Sequence, residues 1–585
     1  MKGFFNKILK INLGKKTFQE ETIMDSVLEN FLGGKGLGIS LLMKENPPGI
    51  DPFSPKNRLV FCLGPVTDSR IYGSCRYGAF SKSPLTGIFS ESYAGGRVAD
   101  PMSRAGYDAF LFEGESSEPL WVEISDQHVV FHDAKDLWGK DTYFTEDEVL
   151  RRLSRKGTGA IVIGPAGENL VRFAVVENNH WRSLGRTGIG AVMGSKKIKA
   201  ITFSGEKKRE SAYPERLEQF AKETLERGKE SPSAQSYRKM GTPMMVAMTN
   251  AVGGFPSKYW HAGTFEGWEN ISAEALLERC QVSPSACLRC FMACGNLSEI
   301  KGGRHKGLKI EGPEYETIYA LGGLCMVHEI EEIIYLNDIC DRLGMDTISA
   351  GNLCAFAMDA SEKGRIQEKI RWGDVDKIAE TLHDIAYRKG LGAILAEGIR
   401  HAAKVWEMDD LAIHVKGLEP AGFDPRVLKG MGLAYATSDR GACHLRSTFY
   451  KAELSGMIPS EQMEGKARLF LEFEDRFNIH DSLILCRFYR DIYWDWNFLS
   501  MIVEVTTGLK LDEARLRRIS SNIQNETRRF NLREGITSKD DTLPKRFFDE
   551  ALGKEGKTIR REDLQKMVEE YYALRAWNSE GVPEP

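Results

Sequence analysis

Short apolar or alternating runs, separated by glycine and proline, fill the first third of the chain. Runs of this length and period predict β-strands. The predicted strands are residues 7–13, 58–66, 109–112, 120–124, 129–132, 160–163 and 171–176. One helix is predicted among them at residues 145–156, with Thr145 as its N-cap and Asp147 or Glu148 in its first turn. This part of the chain is therefore expected to be β-rich.

The pattern changes after a charged stretch at residues 206–210, which we interpret as a domain boundary. In residues 214–227 the apolar positions recur close to every 3.6 residues, which is typical of an amphipathic helix. The same period predicts further helices at residues 330–343, 350–363 and 375–388. The final third mixes helical patterns with long irregular connections. Strands followed by helices predict an α+β protein.

Composition narrows the class of protein. The chain has 585 residues, of which 42% are hydrophobic and 28% are charged, and its net charge is −4. These values predict a globular protein of several domains and disfavour a nucleic-acid binder. No segment reaches 18 apolar residues, and no apolar stretch follows the first lysine, so neither a membrane span nor a signal peptide is expected. Eleven cysteines are too sparse for a disulfide scaffold, which favours a reducing cytoplasm.

The strongest chemical signal is the run Cys287-Leu288-Arg289-Cys290-Phe291-Met292-Ala293-Cys294. Three thiols at this spacing can turn inward within one loop. A cubane iron–sulfur cluster requires four thiolates, so a fourth cysteine is expected from elsewhere in the chain. A zinc site is the main alternative, but it usually pairs two C-x2-C knuckles, and no second knuckle occurs here. The spacing favours iron–sulfur over zinc and leaves both open.

Glycine-rich stretches with basic residues recur in the first part. They begin at Gly73, Lys82, Ala94 and Arg182, and the last extends to Lys196. Small residues let backbone N–H groups approach a ligand closely, and arginine or lysine adds positive charge. Neither the dinucleotide fingerprint nor the P-loop motif is present. Each stretch alone is typical of a tight turn, whereas together, with Arg76, Arg182 and Arg186 among them, they favour a bulky anionic cofactor.

These motifs, taken in order, resemble the tungsten-containing aldehyde:ferredoxin oxidoreductase family nearly from end to end. The matching segments include the following: residues 33–36, 82–87, 105–108, 163–169, 185–196, the cysteine run, 311–317, 341–349, 416–419, 438–444, 481–486 and 529–531. The resemblance implies a β-rich tungstopterin-binding base at residues 1–209. It also implies two mainly helical domains, at residues 210–418 and 419–585, with the cofactor at the interface of the three.

The resemblance further implies one tungsten atom held by two pterins, one 4Fe–4S cluster and a magnesium ion that bridges the pterin phosphates. Cys486 is implied as the fourth cluster ligand beside Cys287, Cys290 and Cys294. Its motif reads Asp481-Ser482-Leu483-Ile484-Leu485-Cys486, with Ile484 where the family usually has glycine. The implied cofactor-binding residues are Arg76, Tyr93, Ala94, Gly95, Gly96, Arg182, Ser183, Gly185, Asp341, Gly344, Asp346, Asp481 and Leu485. The magnesium contacts would be the carbonyl groups of Tyr93, where the family often has asparagine, and Ser183.

Glu314 and His444 are the catalytic residues that the resemblance implies, with Glu316 as the alternative carboxylate because helical phase cannot decide between the two. A buried glutamate with a raised pKa could accept a proton, and the histidine could donate a hydrogen bond. Without the resemblance, Glu314 after Pro313 is better explained as an acid that stabilises a helix N-terminus.

The expected function is oxidation of an aldehyde to a carboxylic acid at tungsten, with electrons passing through the cluster to ferredoxin or a ferredoxin-like subunit. Two alternatives remain: a different two-electron substrate on the same scaffold, or a non-catalytic iron–sulfur carrier subunit. The sequence leaves the particular aldehyde open. It also leaves open tungsten against molybdenum, and a homodimer against a hetero-oligomer.

Overall fold

Two six-stranded sheets form the amino-terminal part of the computed structural model, which describes residues 1–554 and 556–584. The strands are β1 Lys7–Asn12, β2 Thr17–Thr22, β3 Leu59–Cys62, β4 Tyr77–Lys82, β5 Phe89–Ala94, β6 Ala109–Glu113, β7 Leu120–Ile124, β8 Val129–Asp133, β9 Gly159–Val162, β10 Val176–Asn178, β11 Arg182–Leu184 and β12 Ile198–Phe203. The first sheet has the order β2-β1-β6-β3-β4-β5, and the second has the order β11-β10-β9-β12-β7-β8. The pairs β1–β6 and β7–β12 are parallel, and the other neighbours are antiparallel.

Helices connect and follow the sheets. Those in the first part are α1 Asp25–Phe31, α2 Gly34–Glu45, α3 Ala99–Arg104, α4 Thr142–Leu153, α5 Pro165–Glu168 and α6 Ile189–Ser195. Those from residue 214 to the cysteine run are α7 Pro214–Glu230, α8 Pro232–Met240, α9 Met245–Ala251 and α10 Ala273–Arg279. A small antiparallel sheet follows, made of β13 Cys280–Ser285, β14 Gly295–Ile300 and β15 Lys309–Glu311.

The remainder of the chain is mainly helical. Its α-helices are α11 Tyr315–Thr317, α12 Ile330–Leu343, α13 Thr347–Glu362, α14 Val375–Tyr387, α15 Gly390–Leu395, α16 Ile399–Val405, α17 Lys429–Thr437, α18 Tyr450–Leu454, α19 Lys466–Leu483, α20 Trp496–Thr507, α21 Glu513–Arg533, α22 Lys545–Asp549 and α23 Arg561–Leu574. A π-helical stretch, Ile318–Gly323, continues directly from α11.

The strands β3 and β6 in the middle of the first sheet are buried on both faces, which explains their nearly continuous apolar sequences. Side chains alternate between faces along a strand. In β3, Leu59 and Phe61 pack towards the second sheet, whereas Val60 and Cys62 pack on helices. The helices on that second face come from α2 and from the carboxy-terminal α19, α20 and α21. The β-rich base and the last helices therefore share one hydrophobic core.

The helical predictions agree with the structure within a few residues for α7, α12, α13 and α14. The predicted helix at residues 145–156 is in fact α4, which begins three residues earlier. The Asp141 side chain accepts a hydrogen bond from the Phe144 N–H and caps the helix in place of Thr145. The Thr145 hydroxyl instead donates to the Asp141 carbonyl, 2.6 Å away.

The predicted strand at residues 171–176 is wrong for most of its length, since β10 begins only at Val176. Val171, Phe173 and Ala174 are buried among helical residues and not within a sheet. Ala174 forms an isolated bridge with Met345, and the Val175 N–H donates to the Gly344 carbonyl. A short apolar run indicates that a segment is buried, but it does not indicate whether that segment is a strand.

The α+β class is confirmed: a sheet-rich base precedes a mainly helical region. The charged stretch at residues 206–210 lies between β12 and α7. The division at residues 209 and 418 remains a prediction. Among the residues that the structure describes, no helix has the length and apolar character needed to cross a membrane.

Candidate active site

One cavity of about 360 Å³ lies where the base and the helical parts meet, and most of the predicted site residues line it. Those that do are Arg76, Tyr93, Ala94, Gly95, Arg182, Ser183, Gly185, Cys287, Cys290, Cys294, Glu314, Asp341, Asp346, His444 and Cys486. Gly96, Gly344, Asp481 and Leu485 lie outside its lining. The chain thus brings residues from very distant sequence positions together.

The cysteine run forms the loop between β13 and β14. Arg289 and Ala293 have φ of 50° and 43°, so the backbone turns sharply twice within the run. The Gly73 N–H donates to the Arg289 carbonyl over 3.1 Å, and the Gly73 carbonyl accepts from the Cys486 N–H over 2.8 Å. One residue of the base therefore holds both the cysteine run and the distant Cys486 beside the same cavity.

A fifth thiol, that of Cys75, was not predicted as part of the site. Its hydrogen bond with Cys287, together with burial, raises the pKa of Cys75 well above the ordinary value. The same bond lowers the pKa of Cys287, which the Arg182 charge and the Gly96 N–H also favour as a thiolate. The Gly96 nitrogen lies 3.2 Å from the Cys287 sulfur. Cys75 directly precedes Arg76, so the glycine-rich stretch contained this signal without a spacing that would single it out.

Arg76, which directly precedes β4, and the residues at the end of β5 and directly after it form one wall of the cavity. The Arg76 Nη2 donates to the Tyr93 carbonyl over 2.9 Å, so this carbonyl already has a partner in the structure. A Cβ added to Gly95 would lie 2.9 Å from the Cys287 sulfur, and glycine is therefore required there. Gly96 has φ of +99°, and a Cβ there would meet the amide oxygens of two neighbouring asparagines. The backbone of this wall can therefore approach a ligand in the cavity closely.

A second wall comes from β11 and the loop after it. Arg182 forms an ion pair with Glu311 at the end of β15. The Ser183 hydroxyl donates to Glu177 over 2.8 Å, and burial raises the pKa of Glu177 to about 8. The buried Arg186 Nε lies 3.1 Å from Asp346, and the same guanidinium donates to the carbonyls of Glu419 and Ala442. Arg186 therefore joins three parts of the chain beside the cavity.

Asp341 and Asp346 line the cavity from the junction of α12 and α13. Asp341 accepts from the Asn337 amide over 2.8 Å, and burial raises its pKa well above the ordinary value. Asp346 is the N-cap of α13 and accepts from the Ile348 N–H. Between them Gly344 has φ of +76° and packs on Gly164, which makes the sharp turn between the two helices possible.

Asp481 lies behind the cavity in a chain of buried ion pairs. It pairs with Arg487, which does line the cavity, and its Oδ2 lies 3.0 Å from Arg446. Arg446 also pairs with Glu91 at 2.5 Å. Lys35 continues the chain to Glu91 and to Asp439, at 3.3 and 2.5 Å. Leu485 is buried in the hydrophobic core that the base shares with α19, α20 and α21. Glu91, Arg446 and Arg487 were not predicted from the sequence as part of the site.

Several buried cationic nitrogens in and near the cavity wall have no hydrogen-bond partner within residues 1–554 and 556–584. Nε of Arg76 and Nη1 of Arg487 belong to residues that line the cavity, whereas Nε of Arg440 and Nε and Nη2 of Arg446 belong to residues outside its lining. A buried donor without a partner costs about 1–3 kcal/mol, and more when it carries charge. The donor set therefore fits a large anionic group, which would supply acceptors to arginines that the protein leaves unsatisfied.

The two candidate glutamates point to different ends of the cavity. Glu314 accepts from the Thr242 hydroxyl at 2.5 Å and lies in the electrostatic environment of Arg182 and the cysteines. Glu316 accepts from the Gly422 N–H at 2.9 Å, and its Oε1 lies 3.5 Å from Nε2 of His444. Of the two, Glu316 is the carboxyl that the structure brings to His444.

Burial shifts both members of this pair towards their neutral forms. It raises the pKa of Glu316 to about 8, against the opposing effects of the Gly422 N–H and Arg186. Burial, together with Arg186, Arg440, Arg487 and Arg446, lowers the pKa of His444 well below the ordinary value. In the described part of the chain, Nδ1 of His444 and Oε1 of Glu316 have no hydrogen-bond partner. Two neutral groups with free polar atoms can exchange a proton with a ligand.

Two family models together match nearly the whole chain. The model described as "Aldehyde ferredoxin oxidoreductase, N-terminal domain" matches residues 8–205, and "Aldehyde ferredoxin oxidoreductase, domains 2 & 3" matches residues 219–585. Among solved structures, the fold resembles the active-site complex BamBC of benzoyl coenzyme A reductase with 1,5-dienoyl-CoA. The TM-score is 0.86 at 23% identity, covering 100% of this chain and 96% of the other.

Relatives are similar over their full length. The "tungsten-containing aldehyde ferredoxin oxidoreductase" of Pyrococcus furiosus is 34% identical, covering 99% of this chain and 97% of the relative. The protein of the same name from Pyrococcus horikoshii is 35% identical, covering 100% and 98%. The "aliphatic sulfonate oxidoreductase, WOR-like subunit" of P. furiosus is 28% identical, covering 100% and 96%. These matches define the chain as an oxidoreductase. It belongs to the aldehyde ferredoxin oxidoreductase family.

Proposed function

We propose that this enzyme oxidises aldehydes to carboxylic acids and passes the electrons through a 4Fe–4S cluster to ferredoxin or a ferredoxin-like subunit. One observation carries the proposal: the Glu316–His444 pair and the thiols of Cys287, Cys290, Cys294 and Cys486 line the same cavity in a member of this family. Proton transfer and electron removal would then occur within one cavity. The location that we propose for this reaction is the cytoplasm.

The residues that would hold a tungsten bis-pterin group are those of the two walls, together with Asp341, Asp346 and Asp481. Arg76 and Arg182 would contact anionic groups, and the backbone at Gly95 and Gly96 would allow close approach. Asp341 and Asp346 would bind one pterin, and Asp481 would orient Arg487 towards the other. When bound, the tungsten group would accept two electrons from the aldehyde. The Ser183 carbonyl would hold the proposed magnesium ion, which would neutralise negative charge on the cofactor.

The four cysteines fit a cubane cluster by the chemistry of their donor set, since all four groups are thiols. Cys287 is already favoured as a thiolate by the hydrogen bond from Cys75. The Gly73 backbone fixes Cys486 beside the run, which supports Cys486 as the fourth ligand. Zinc bound by the same thiols is the alternative, and iron analysis separates the two.

Glu316 would act as the general base. Its raised pKa is matched to operation near neutral pH, and Gly422 holds its carboxyl in place. The neutral His444 would accept or donate a hydrogen bond at the substrate oxygen through its free nitrogen. The π-helical stretch after α11 supports this arrangement, because such irregularities in helices are frequent at functional sites. Glu314, held by Thr242 at the cysteine end, would affect the electrostatics of the cluster instead.

Two other functions remain as alternatives. A non-aldehyde two-electron substrate is compatible with the same cavity, and one relative is named for sulfonates. A non-catalytic iron–sulfur carrier would not need a glutamate–histidine pair in a cavity, so the presence of this pair disfavours that alternative. Tungsten is proposed over molybdenum because the names of the relatives specify it.

The decisive experiment uses protein purified without oxygen from cells supplied with tungstate. Tungsten, molybdenum, iron and zinc are quantified per chain, and aldehyde oxidation is followed with a viologen dye and with ferredoxin. We expect one tungsten, four irons and aldehyde-dependent reduction of both acceptors. Tungsten-replete protein that oxidises no aldehyde would overturn the proposed substrate class. Stoichiometric zinc without iron would overturn the cluster.

A further inference from the structure

Aromatic rings surround the Glu316–His444 pair. The Phe423 ring lies 5.8 Å from the His444 ring, and the Tyr450 ring lies 6.3 Å from it. Phe423 and Tyr450 stack on each other at 4.0 Å with an angle of 8° between their planes. Tyr315 joins them at 5.3 Å from Phe423. All three aromatic residues line the cavity that contains the pair, and we call them the aromatic wall.

The aromatic wall is held rigidly. Phe423 directly follows Gly422, whose N–H binds Glu316, so the ring and the carboxyl are positioned by one short segment. The Tyr315 hydroxyl donates to the Gly422 carbonyl and lies 3.1 Å from the Thr249 hydroxyl. The Phe423 N–H donates to the Ala421 carbonyl. A wall fixed at its backbone and at a hydroxyl loses little conformational freedom when a ligand packs on it.

Further aromatic side chains line the same cavity. The Tyr237 and Phe488 rings lie 4.6 Å apart. The buried Arg490 donates to the Tyr237 hydroxyl over 3.1 Å, which fixes this second group as well. Nε of Arg490 has no hydrogen-bond partner among the described residues. The cavity therefore contains aromatic rings beside the Glu316–His444 pair. The Arg490 guanidinium lies next to the second pair of rings, Tyr237 and Phe488.

We propose that the preferred substrates are aromatic aldehydes, in which the formyl carbon is attached directly to a planar ring. This inference rests on the proposed aldehyde oxidation and specifies its substrate class. Aromatic rings prefer offset or edge-to-face contact with other rings, which a saturated ring of the same size cannot make. With the ring against the aromatic wall, the formyl group lies next to His444 and Glu316.

The reaction balances with water and the acceptor already proposed. The aldehyde C–H bond breaks, and a new C–O bond forms to an oxygen from water, which yields an aromatic carboxylic acid. The two electrons go to the ferredoxin-type acceptor already proposed, and two protons are released; the metal and cluster would supply the electron transfer when bound. Glu316 receives the first of these protons, and the ring stays intact throughout. Nothing beyond the proposed acceptor is consumed.

The test compares benzaldehyde with cyclohexanecarbaldehyde, which has the same number of carbons in a saturated ring. The kcat/KM ratio of the two aldehydes is measured for the holoenzyme with a viologen acceptor, and then for Phe423→Leu and Tyr450→Leu. Comparing the ratio between variants cancels the intrinsic reactivity of each aldehyde. Each leucine variant should lower the ratio by about two- to ten-fold, which is the range of one aromatic contact. Tyr450→Phe keeps the ring and should keep the ratio.

A matched control is Phe356→Leu. Phe356 also belongs to a stacked aromatic pair, with Trp406 at 5.3 Å, but it lies in the helical core and does not line the cavity. It should reduce stability without changing the ratio. Binding supplies a readout apart from turnover: calorimetry on the holoenzyme should show tighter binding of benzoate than of cyclohexanecarboxylate, and the difference should shrink in Phe423→Leu.

The outcomes separate this inference from the proposal on which it rests. If the tungsten-replete enzyme oxidises neither aldehyde, the proposed function itself fails, and the substrate class falls with it. If it oxidises aldehydes but the ratio is unchanged in both leucine variants, aldehyde oxidation stands and the aromatic preference is overturned. Equal binding of the two carboxylates would overturn it as well.

Discussion

Nε2 of His444 lies 3.5 Å from Oε1 of Glu316, although the two residues belong to segments far apart in the chain. The Gly422 N–H holds the other carboxyl oxygen of Glu316. Glu316 is thus positioned by the helical middle part of the chain, and His444 is positioned by the segment before α18. Removal of either partner tests whether it transfers protons or only fills the cavity.

Glu316→Gln should lower aldehyde turnover by about 10²–10⁴, because an amide keeps the size and the bond to Gly422 but cannot accept a proton. This corresponds to roughly 3–5 kcal/mol in the barrier. The measurement is viologen-linked turnover at equal tungsten and iron content. Glu314→Gln is the matched control, since it lies two residues away and faces Thr242. If Glu314→Gln lost most of its turnover while Glu316→Gln stayed near normal, Glu314 would be the general base and Glu316 would not.

The pH dependence of turnover follows from the raised pKa of Glu316. A general base must be ionised, so activity should rise with pH through a value of about 8 and level off above it. The pKa of His444 is lowered well below its ordinary value of 6.5, so no step from the imidazole is expected above that pH. Rate profiles of kcat/KM check this. A wild-type profile without a step near pH 8, or a step that persists in Glu316→Gln, would contradict it.

Cys486→Ser should lower the iron content and abolish electron delivery to ferredoxin, because a serine hydroxyl is a poor substitute for a thiolate ligand. Iron analysis and visible absorption measure the loss. Cys354→Ser is the control: Cys354 is buried in α13 and does not line the cavity. A Cys486→Ser protein with full iron and full ferredoxin reduction would remove Cys486 from the ligand set.

The double variant Arg182→Ala/Glu311→Gln should lower tungsten and pterin occupancy more than thermal stability. Arg182→Ala alone would leave Glu311 buried without its partner, which typically costs about 3–5 kcal/mol and would confuse the two effects. Removing both charges isolates the contact with the cofactor. Metal analysis and thermal unfolding are measured in parallel.

The control for this pair is Arg172→Ala/Glu397→Gln. This ion pair also joins the base to the helical part, but neither residue lines the cavity. It should affect stability and leave occupancy intact. Full pterin occupancy in the Arg182 double variant would show that Arg182 serves the fold only.

Local features of the site were predictable from the sequence. The cysteine run was recognisable because three ligands lie within one loop, and α12 because its apolar period spans several turns. The choice between Glu314 and Glu316 was not predictable. The helix α11 covers only Tyr315–Thr317 before the π-helical stretch begins, so no regular period assigns either side chain to a face.

The buried ion pairs were missed for a different reason. Lys35 reaches Asp439, and Glu91 reaches Arg446, across most of the chain. In the sequence each of these residues resembles an ordinary surface charge, because no local pattern records its partner. The strand predicted at residues 171–176 failed in a similar way, since its burial comes from Met345, in the turn between α12 and α13, and from helical residues.

Arg186 also constrains how the protein is made. Its guanidinium is bonded to Asp346, to the Glu419 carbonyl and to the Ala442 carbonyl, and so ties three segments of the chain together at the cavity wall. A bulky group that entered past this wall would have to break these bonds together. We therefore expect the cofactor to be inserted during biosynthesis, before these three segments are joined.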